Sequence, residues 1–353
     1  MSGPTVLVDG SWGEGGGQIL RTALTLSLAT GQPLSIRDIR AGRPKPGLRP
    51  QHLTAVRAAV DVSGGRVESA DVGSLAVRFS PGTVRPGRYT FRIGTAGATT
   101  LVLQTVVPAL ALARGSSTVT VTGGTHVPWA PTFEYLARHW SPVMERLGLH
   151  VGLVLERAGF YPAGGGRVRA EIRGGWRPKA LVACRRGDLV GACGVSLVGN
   201  LPTGIAERQA EELGAGLRRL GLTDAGGDAL VEVAEPPAGG PGTAVYVGAE
   251  FASGRAAFSA LGRRGKPAER VAREAVNELA NYLKTNGAFD HHLADQLLLP
   301  LALADGESRF TTSAVSRHLL TSAYVIGRFP GPVVQVIGEV SQPGEVRVFP
   351  GGG

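Results

Sequence analysis

Asp9-Gly-Ser-Trp-Gly-Glu-Gly-Gly-Gly-Gln-Ile-Leu-Arg21 is a glycine-rich turn that carries an extended segment, Thr5–Asp9, into the start of a helix, Gly17–Thr30. Glycines let a backbone approach phosphate closely, and free N–H groups at a helix N-terminus supply donors and positive potential. Glu14, Gln18 and Arg21 stand at i, i+4 and i+7, so a helix beginning at the glycines puts all three on one face. After the next expected strand comes Arg40-Ala-Gly-Arg-Pro-Lys-Pro-Gly-Leu-Arg-Pro-Gln-His52, whose Arg40, Arg43 and Lys45 can close on the same pocket. No Gly-Lys-Ser/Thr follows the glycines, which excludes a Walker A loop. A dinucleotide fingerprint is excluded too, because Gly13-x-Gly15-x-x is completed by Gln18 rather than Gly. Either half alone reads equally well as a plain turn or a solvated basic loop. Together they describe a nucleotide-phosphate site of another design.

Outward from this junction the pattern continues through a strand at Leu34–Ile39, a helix at Pro50–Ser63 and strands at Arg66–Ser69 and Leu75–Phe79. The helices carry apolar residues at three- and four-residue spacing, and the strands are short and turn-bounded. The same order recurs: strand Tyr89–Ile93, helix Thr99–Ala113, strand Thr118–Thr122, helix Pro131–Leu147, strands His150–Leu155 and Arg167–Ile172. A third instance has a helix at His292–Ala304, a strand at Arg309–Thr312, a helix at His318–Phe329, and strands at Val333–Ile337 and Val346–Phe349. Its opening strand is expected far upstream, near Ala180–Cys184. Element order therefore predicts an α/β (α+β) architecture in which three repeated βαβαββ units form a large domain, residues 1–184 and 284–353. Residues 185–283, with helices at Gly204–Leu220 and Ala268–Lys284 and strands such as Leu230–Val233 and Ala244–Val247, read as a smaller inserted α/β domain.

With 353 residues, 43% hydrophobic and 18% charged, the chain can bury a substantial core, which argues against disorder. The 53 glycines fall between apolar runs without a collagen period. A formal charge of +9 favours an acidic partner such as nucleic acid or nucleotides. Cys184 and Cys193 form neither a metal-ligand pattern nor a disulfide framework, as expected for a reducing cytoplasm. The N-terminal segment lacks the regions of a signal peptide, and the apolar run from Leu101, interrupted by Gln104 and Pro108, is too short to span a bilayer. A cytoplasmic protein with no membrane association is expected.

Six segments in order resemble the RNA 3′-terminal phosphate cyclase family over nearly the whole chain. They are Gly13-Glu-Gly-Gly-Gly-Gln-Ile-Leu-Arg21; Arg40-Ala-Gly-Arg43 with Gln51-His52; Gly123-Gly-Thr-His126 with Ala130-Pro131; Gly159-Phe-Tyr-Pro-Ala-Gly-Gly-Gly166; Leu293-Ala-Asp-Gln296; and His318-Leu-Leu-Thr321. The resemblance implies three repeated units with an insert, and ATP-dependent conversion of an RNA 3′-phosphate to a 2′,3′-cyclic phosphate through an AMP-histidine and an RNA-adenylate. It assigns the nucleophile to His318. ATP contacts fall to Gln18, Arg21, Arg40, Arg43, Gln51, Gln104, Pro131, His292, Leu293, Ala294, Asp295 and Gln296, and a magnesium or manganese ligand to Glu14. These residue types suit the chemistry. A neutral imidazole is available near pH 7, Arg forks grip phosphate oxygens bidentately, and one carboxylate suffices for magnesium held also by phosphate and water. The chain departs from the family at Ala158, where Arg or His is usual, at His292, where some members have Tyr, and at Arg317, where a small or thiol residue is found.

Of the seven histidines, His139 and His150 read as packing or surface residues, and His126 has no mechanistic task. His52 is balanced between function and packing. At most one of His291 and His292 faces a site. Ser316 is positioned to cap the helix that carries His318. Arg185, Arg186, Arg263, Arg264 and Lys266 form either a phosphate-tracking surface or a solvated basic face. With aromatics at 6%, no single-strand stacking platform is evident, and little base specificity is expected. Three alternatives stay open: a non-catalytic cyclase-like ribosome-assembly protein, an enolpyruvyl-type transferase, and an adenylyltransferase acting on a wider range of polynucleotide ends.

Overall fold

The computed structural model describes residues 3–223 and 230–351. Met1 and Ser2 of the N-terminal segment, and residues 224–229 of the expected insert, lie outside the described residues. Strand β1 (Val6–Asp9) leads through the glycine turn into α1 (Gly17–Thr30), which returns to β2 (Leu34–Arg37), parallel to β1. Gly13 and Gly15 take φ of 59° and 57°, a left-handed backbone that delays the helix. Glu14 consequently sits in the turn and not on the α1 face shared by Gln18 and Arg21, a correction to the spacing argument. Left-handed Gly31 closes α1, whereas α2 (Pro50–Ser63) opens on proline and closes at left-handed Gly64. Strands β3 (Arg66–Glu68) and β4 (Val77–Ser80) complete a sheet of order β1-β2-β4-β3.

Next come β5 (Arg88–Arg92), α3 (Thr99–Leu112) and β6 (Ser117–Gly123). The single helix expected over Pro131–Leu147 is instead α4 (Phe133–Tyr135), a π turn over Leu136–Trp140, and α5 (Ser141–Arg146). The wide turn carries His139 inward to a buried carboxylate, that of Asp290, 2.7 Å away. Strands β7 (Val151–Arg157) and β8 (Gly166–Ile172) finish a sheet of order β5-β6-β8-β7.

After the short β9 (Val182–Ala183), the chain forms β10 (Leu189–Gly199), α6 (Gly204–Arg219), β11 (Leu230–Ala234), β12 (Gly242–Phe251), β13 (Arg255–Leu261) and α7 (Ala268–Leu283). Their sheet runs β11-β10-β12-β13. Glycine and alanine dominate the middle of β10 and the start of β13, so these strands carry little side-chain alternation for sequence reading to detect. Finally α8 (His291–Ala302), β14 (Ser308–Thr312), α9 (Arg317–Ile326), β15 (Val333–Ile337) and β16 (Gly344–Phe349) build a sheet of order β15-β16-β14-β9, with β9 parallel to β14.

The structure is thus a mixed α/β molecule of small mixed sheets covered by helices. Helix α1 packs on α3 and α9, and α8 packs on α9, within one continuous apolar cluster that includes Leu24, Val106, Leu297 and Val325. The sheet β10–β13 with α6 and α7 has a separate cluster, centred on Leu213, Val247, Phe258 and Leu279. Each such side chain contributes about 1.5–3 kcal/mol when fully buried. No helix among the described residues is long and apolar enough to cross a membrane.

Candidate active site

Five helices line one cavity of about 1090 Å³: α1 with Gly17, Gln18 and Arg21, α2 with Gln51 and His52, α3 with Leu101, Gln104 and Pro108, α8 with His292, Asp295, Leu299 and Pro300, and α9 with His318 and Ser322. A helix N-terminus leaves backbone N–H groups unpaired and carries about half a positive charge. That of α1, whose Gly17 and Gln18 border the space, favours an anion there, whereas α8 and α9 spend theirs on the caps Asp290 and Ser316. Gly16, the N-cap of α1, supplies no side-chain cap, which leaves that terminus open to a ligand.

His318 is fixed from both ring nitrogens. Gln18 Nε2 donates to Ser322 Oγ at 2.6 Å and to the His318 carbonyl at 3.3 Å, which sets the amide orientation. Gln18 Oε1 then faces His318 Nδ1 and accepts its hydrogen. On the other side, His318 Nε2 lies 2.7 Å from Glu14 Oε2. Ser316 caps α9 by accepting from Leu319 N at 3.0 Å, so the helix start that holds His318 is itself anchored. Burial works to lower the His318 pKa, but the hydrogen bond to Glu14 and the charges of Asp295 and Glu14 outweigh it and raise the value. The Glu14 carboxyl is drawn down to about 2, chiefly by its hydrogen bond to His318 and against desolvation, with help from the charges of His318 and Arg43.

The cationic wall comes from two places. Arg43 Nη2 donates to Glu14 Oε1 at 2.6 Å and to the Glu14 carbonyl at 3.0 Å, locking the second basic stretch onto the glycine turn. Arg40 spends Nη1 on the carbonyls of Lys45 and Gly47, at 2.7 and 2.9 Å, and so shapes its own loop. Arg21 faces the cavity without a carboxylate in salt-bridge reach among the described residues. Desolvation pulls its pKa down to about 10, against the charges of Asp295 and Glu14. It remains a cation at neutral pH.

Two histidines of the wall are neutral. Burial, assisted by Arg21, Arg40 and Arg49, lowers His52 to about 3, and its Nδ1 accepts from Arg49 N at 3.1 Å across the first turn of α2. Burial and neighbouring His291 lower His292 to about 4, although its ring remains open to the cavity. Asp295 is pushed the other way, up to about 7, by desolvation that the charges of His318 and Arg21 only partly offset.

The remaining expected residues separate into two groups. Gln104 Nε2 donates to Gln296 Oε1 at 2.5 Å, Gln296 Nε2 donates to the His292 carbonyl at 2.8 Å, and Pro131 lines the same cavity. Gln51 Oε1 accepts from Ala98 N at 2.9 Å, steadying the start of α3. Leu293 and Ala294, by contrast, are 0% exposed. They lie on the core side of α8, so their side chains are off the cavity, as the 3.6-residue period dictates when His292 and Asp295 face it.

Other histidines are structural. His126 is buried between Thr125 Oγ1 at 2.7 Å and Glu134 Oε2 at 2.6 Å, while His150 lies at the surface beside Glu145. Of the five cations suggested as an RNA track, Arg186 turns inward to the carbonyls of Leu283 and Thr285 at the end of α7, and Lys266 pairs with Glu274. That leaves Arg185, Arg263 and Arg264 exposed, too few for a continuous track. Residues that sequence reading missed include Phe258 and Ser259 of β13, which line the cavity, and Asp290, the cap of α8. An Asp directly before a helix start was the legible signal for the last. Nothing in the sequence shows that β13 reaches the site.

A family model described as RNA 3′-terminal phosphate cyclase matches residues 12–336 of this chain. The chain is 46% identical over 330 residues to the RNA 3′-terminal phosphate cyclase of Methylococcus capsulatus, covering 91% of this chain and 90% of the relative. For the protein of the same name from Ralstonia nicotianae the figures are 48% over 327 residues, with 92% of each covered. For that of Pyrococcus furiosus they are 40% over 345 residues, with 97% and 98% covered. Among solved structures, the enolpyruvyl transferase NikO from Streptomyces tendae aligns over 48% of this chain and 33% of that one, at 20% identity and a TM-score of 0.26, too slight to carry an argument.

Proposed function

The chain belongs to the RNA 3′-terminal phosphate cyclase family, and from that premise we propose that it converts an RNA 3′-phosphate to a 2′,3′-cyclic phosphate at the cavity lined by the five helices, using ATP and His318. The observation that carries the reading is the His318 imidazole, held by Gln18 and Glu14 where helix termini and arginines converge.

Gln18 Oε1 keeps a proton on His318 Nδ1, so the lone pair used in attack belongs to Nε2. Withdrawing Glu14 from Nε2 lowers the imidazole pKa and yields the neutral nucleophile. His318 Nε2 then attacks the α-phosphorus of ATP; a P–N bond forms and pyrophosphate leaves against Arg21 and Arg43. An oxygen of the RNA 3′-phosphate next attacks the same phosphorus, breaking the P–N bond and restoring the imidazole. In the RNA-adenylate the 2′-hydroxyl attacks the terminal RNA phosphorus, gives up its proton, and AMP departs. Splitting adenylyl transfer through a covalent histidine replaces one difficult displacement by easier ones.

A divalent ion, magnesium or manganese, fits beside Glu14. Its Oε2 is buried and meets only the His318 ring, at 2.7 Å, so it would be left to the ion once the imidazole turns to attack. No cluster of three or more His, Cys, Asp or Glu side chains exists among the described residues, so phosphate oxygens and water would complete the shell. Such an ion supplies charge neutralisation on the phosphates. Adenine would lie between Pro131 and His292, with Gln104, Asp295 and Gln296 alongside.

We read residues 1–184 with 284–353 as the catalytic domain of three βαβαββ units, and 185–283 as an insert whose β13 closes one wall of the site. The strand orders β1-β2-β4-β3, β5-β6-β8-β7 and β9-β14-β16-β15 support the repeat. Two free cysteines are in keeping with a cytoplasmic location.

The test is direct. Purified protein, ATP, magnesium or manganese and an oligoribonucleotide ending in 3′-phosphate should yield phosphatase-resistant cyclic ends, with one AMP and one pyrophosphate per end. Absence of cyclic ends under either metal rejects the reading.

A further inference from the structure

Trp129 is 99% exposed and Tyr161 is 68% exposed, yet both line the active-site cavity. Neither ring stacks on another aromatic ring among the described residues. An indole in open water forfeits the burial that makes aromatic side chains useful to a fold. Trp129 also holds φ at 65°, a region disfavoured for a bulky L-residue. An outlier of this kind persists only where its surroundings over-determine it, and such outliers gather at ligand sites.

The surroundings do so here. Thr125 N and His126 N both donate to the Gly159 carbonyl, at 2.8 and 3.0 Å, joining the loop of Trp129 to the loop of Tyr161. The His126 and Phe160 rings stack at 5.3 Å beneath them. Beyond Trp129, the Pro131 carbonyl accepts from Thr100 Oγ1 at 2.9 Å, and Thr132 Oγ1 meets Ser259 Oγ at 3.0 Å. The loop is pinned on both sides, and the indole is left free at its tip beside exposed Pro128.

We propose that Trp129 and Tyr161 are a stacking platform for bases at the 3′ end of the RNA, next to the cavity that takes its terminal phosphate. The proposal rests on RNA being the substrate. Lys45 and Arg49 line the same cavity and pair with no carboxylate among the described residues, providing charge complementarity for the adjoining phosphodiesters. Aromatic faces accept any base, so the platform senses that a base is present and not which one. Two rings separated by 32 positions in sequence gave no composition signal, and the loop-to-loop hydrogen bonds bring them to one opening.

A set of 3′-phosphate oligoribonucleotides, each with one abasic site among its last three nucleotides, tests this by KM for RNA. At one position or more, the abasic substitution should raise KM about 5- to 100-fold with wild-type protein, whereas exchanging one base for another there should change it less than about threefold. Trp129→Ala should raise KM for intact RNA by a similar factor and make the abasic site cost nothing further, and Trp129→Phe should recover most of the loss. Abasic penalties that are absent, or that persist undiminished in both Trp129→Ala and Tyr161→Ala, overturn the platform. Self-adenylylation of wild-type protein by ATP alone is measured in parallel. Its absence rejects the function reading, whereas its presence with base-insensitive KM rejects only the platform.

Discussion

His318, Glu14 and Asp295 show how a few side chains set the protonation of the site. Glu14 and Asp295 hold the His318 pKa above the ordinary histidine value of about 6.5. The stabilisation from the Glu14 pairing is complete below the unfolded value and is lost as pH rises through the raised folded one. Attack needs the neutral ring, so the acid limb of self-adenylylation at limiting ATP, which reports the free enzyme before Glu14 is withdrawn, is expected to lie above the ordinary histidine range; a limb at or below about 6.5 contradicts this. Asp295 behaves in a related way, because burial lifts its carboxyl to about 7. Relative to the unfolded chain its contribution is fully present below pH 3.8 and is lost as pH rises through about 7. Asp295→Asn should therefore be more stable than wild type at about pH 8, by roughly 2–4 kcal/mol. The gain should vanish near about pH 4, as read by urea unfolding at both pH values. Glu14, Arg21, Arg40 and Arg43 were legible as a set from their glycine and basic context. Their order in space was not: Arg43 reaches Glu14 across 29 positions and His318 reaches it across 304.

Five helices line the cavity, and most of their starts could be read from sequence. Proline at the head of α2, glycine after α1 and α2, and Ser316 before α9 are local signals with local causes. The start of α8 depends on a wider arrangement. Asp290 Oδ1 accepts from His292 N, Leu293 N and Tyr135 Oη at 2.9, 3.0 and 3.2 Å. Its Oδ2 takes His139 Nε2 at 2.7 Å and Ala257 N at 3.3 Å. One carboxylate thus ties α8 to the π turn and to β13. Desolvation opposes its ionisation, but the His139 charge and hydrogen bond prevail and bring it down to about 2. Asp290→Ala is expected to cost about 3–5 kcal/mol, since it strands buried donors and a buried histidine. Asp290→Asn, which can still cap, should recover part of this; equal losses in denaturant titrations would show that capping contributes nothing. The π turn escaped sequence reading because His139 sits in an ordinary amphipathic pattern, and the partner that turns it inward lies 151 positions away.

At the scale of the molecule, four small mixed sheets carry the helices that line the cavity, and β13 adds Phe258 and Ser259 to its wall. Element order along the chain carried the mixed α/β class, because βαβ spacing and turn signals are local. The contribution of Phe258 to the cavity was not legible, since β13 is alanine-rich and its site-facing side is a tertiary fact. The two largest apolar clusters imply two cooperative units, with smaller clusters such as Tyr135 with Val195 and Tyr246 between them. In native-state hydrogen exchange, amides of β10–β13, α6 and α7 are expected to share one opening free energy, and those of α1, α3, α8 and α9 another. A single value across all of them would contradict the inserted-domain reading. The central claim, that His318 becomes adenylylated, is tested most directly with ATP radiolabelled at the α-phosphate, magnesium or manganese, and no RNA, followed by denaturation and recovery of the protein. Acid-labile label is expected on wild type and absent from His318→Ala; label on both proteins, or on neither, would contradict the account.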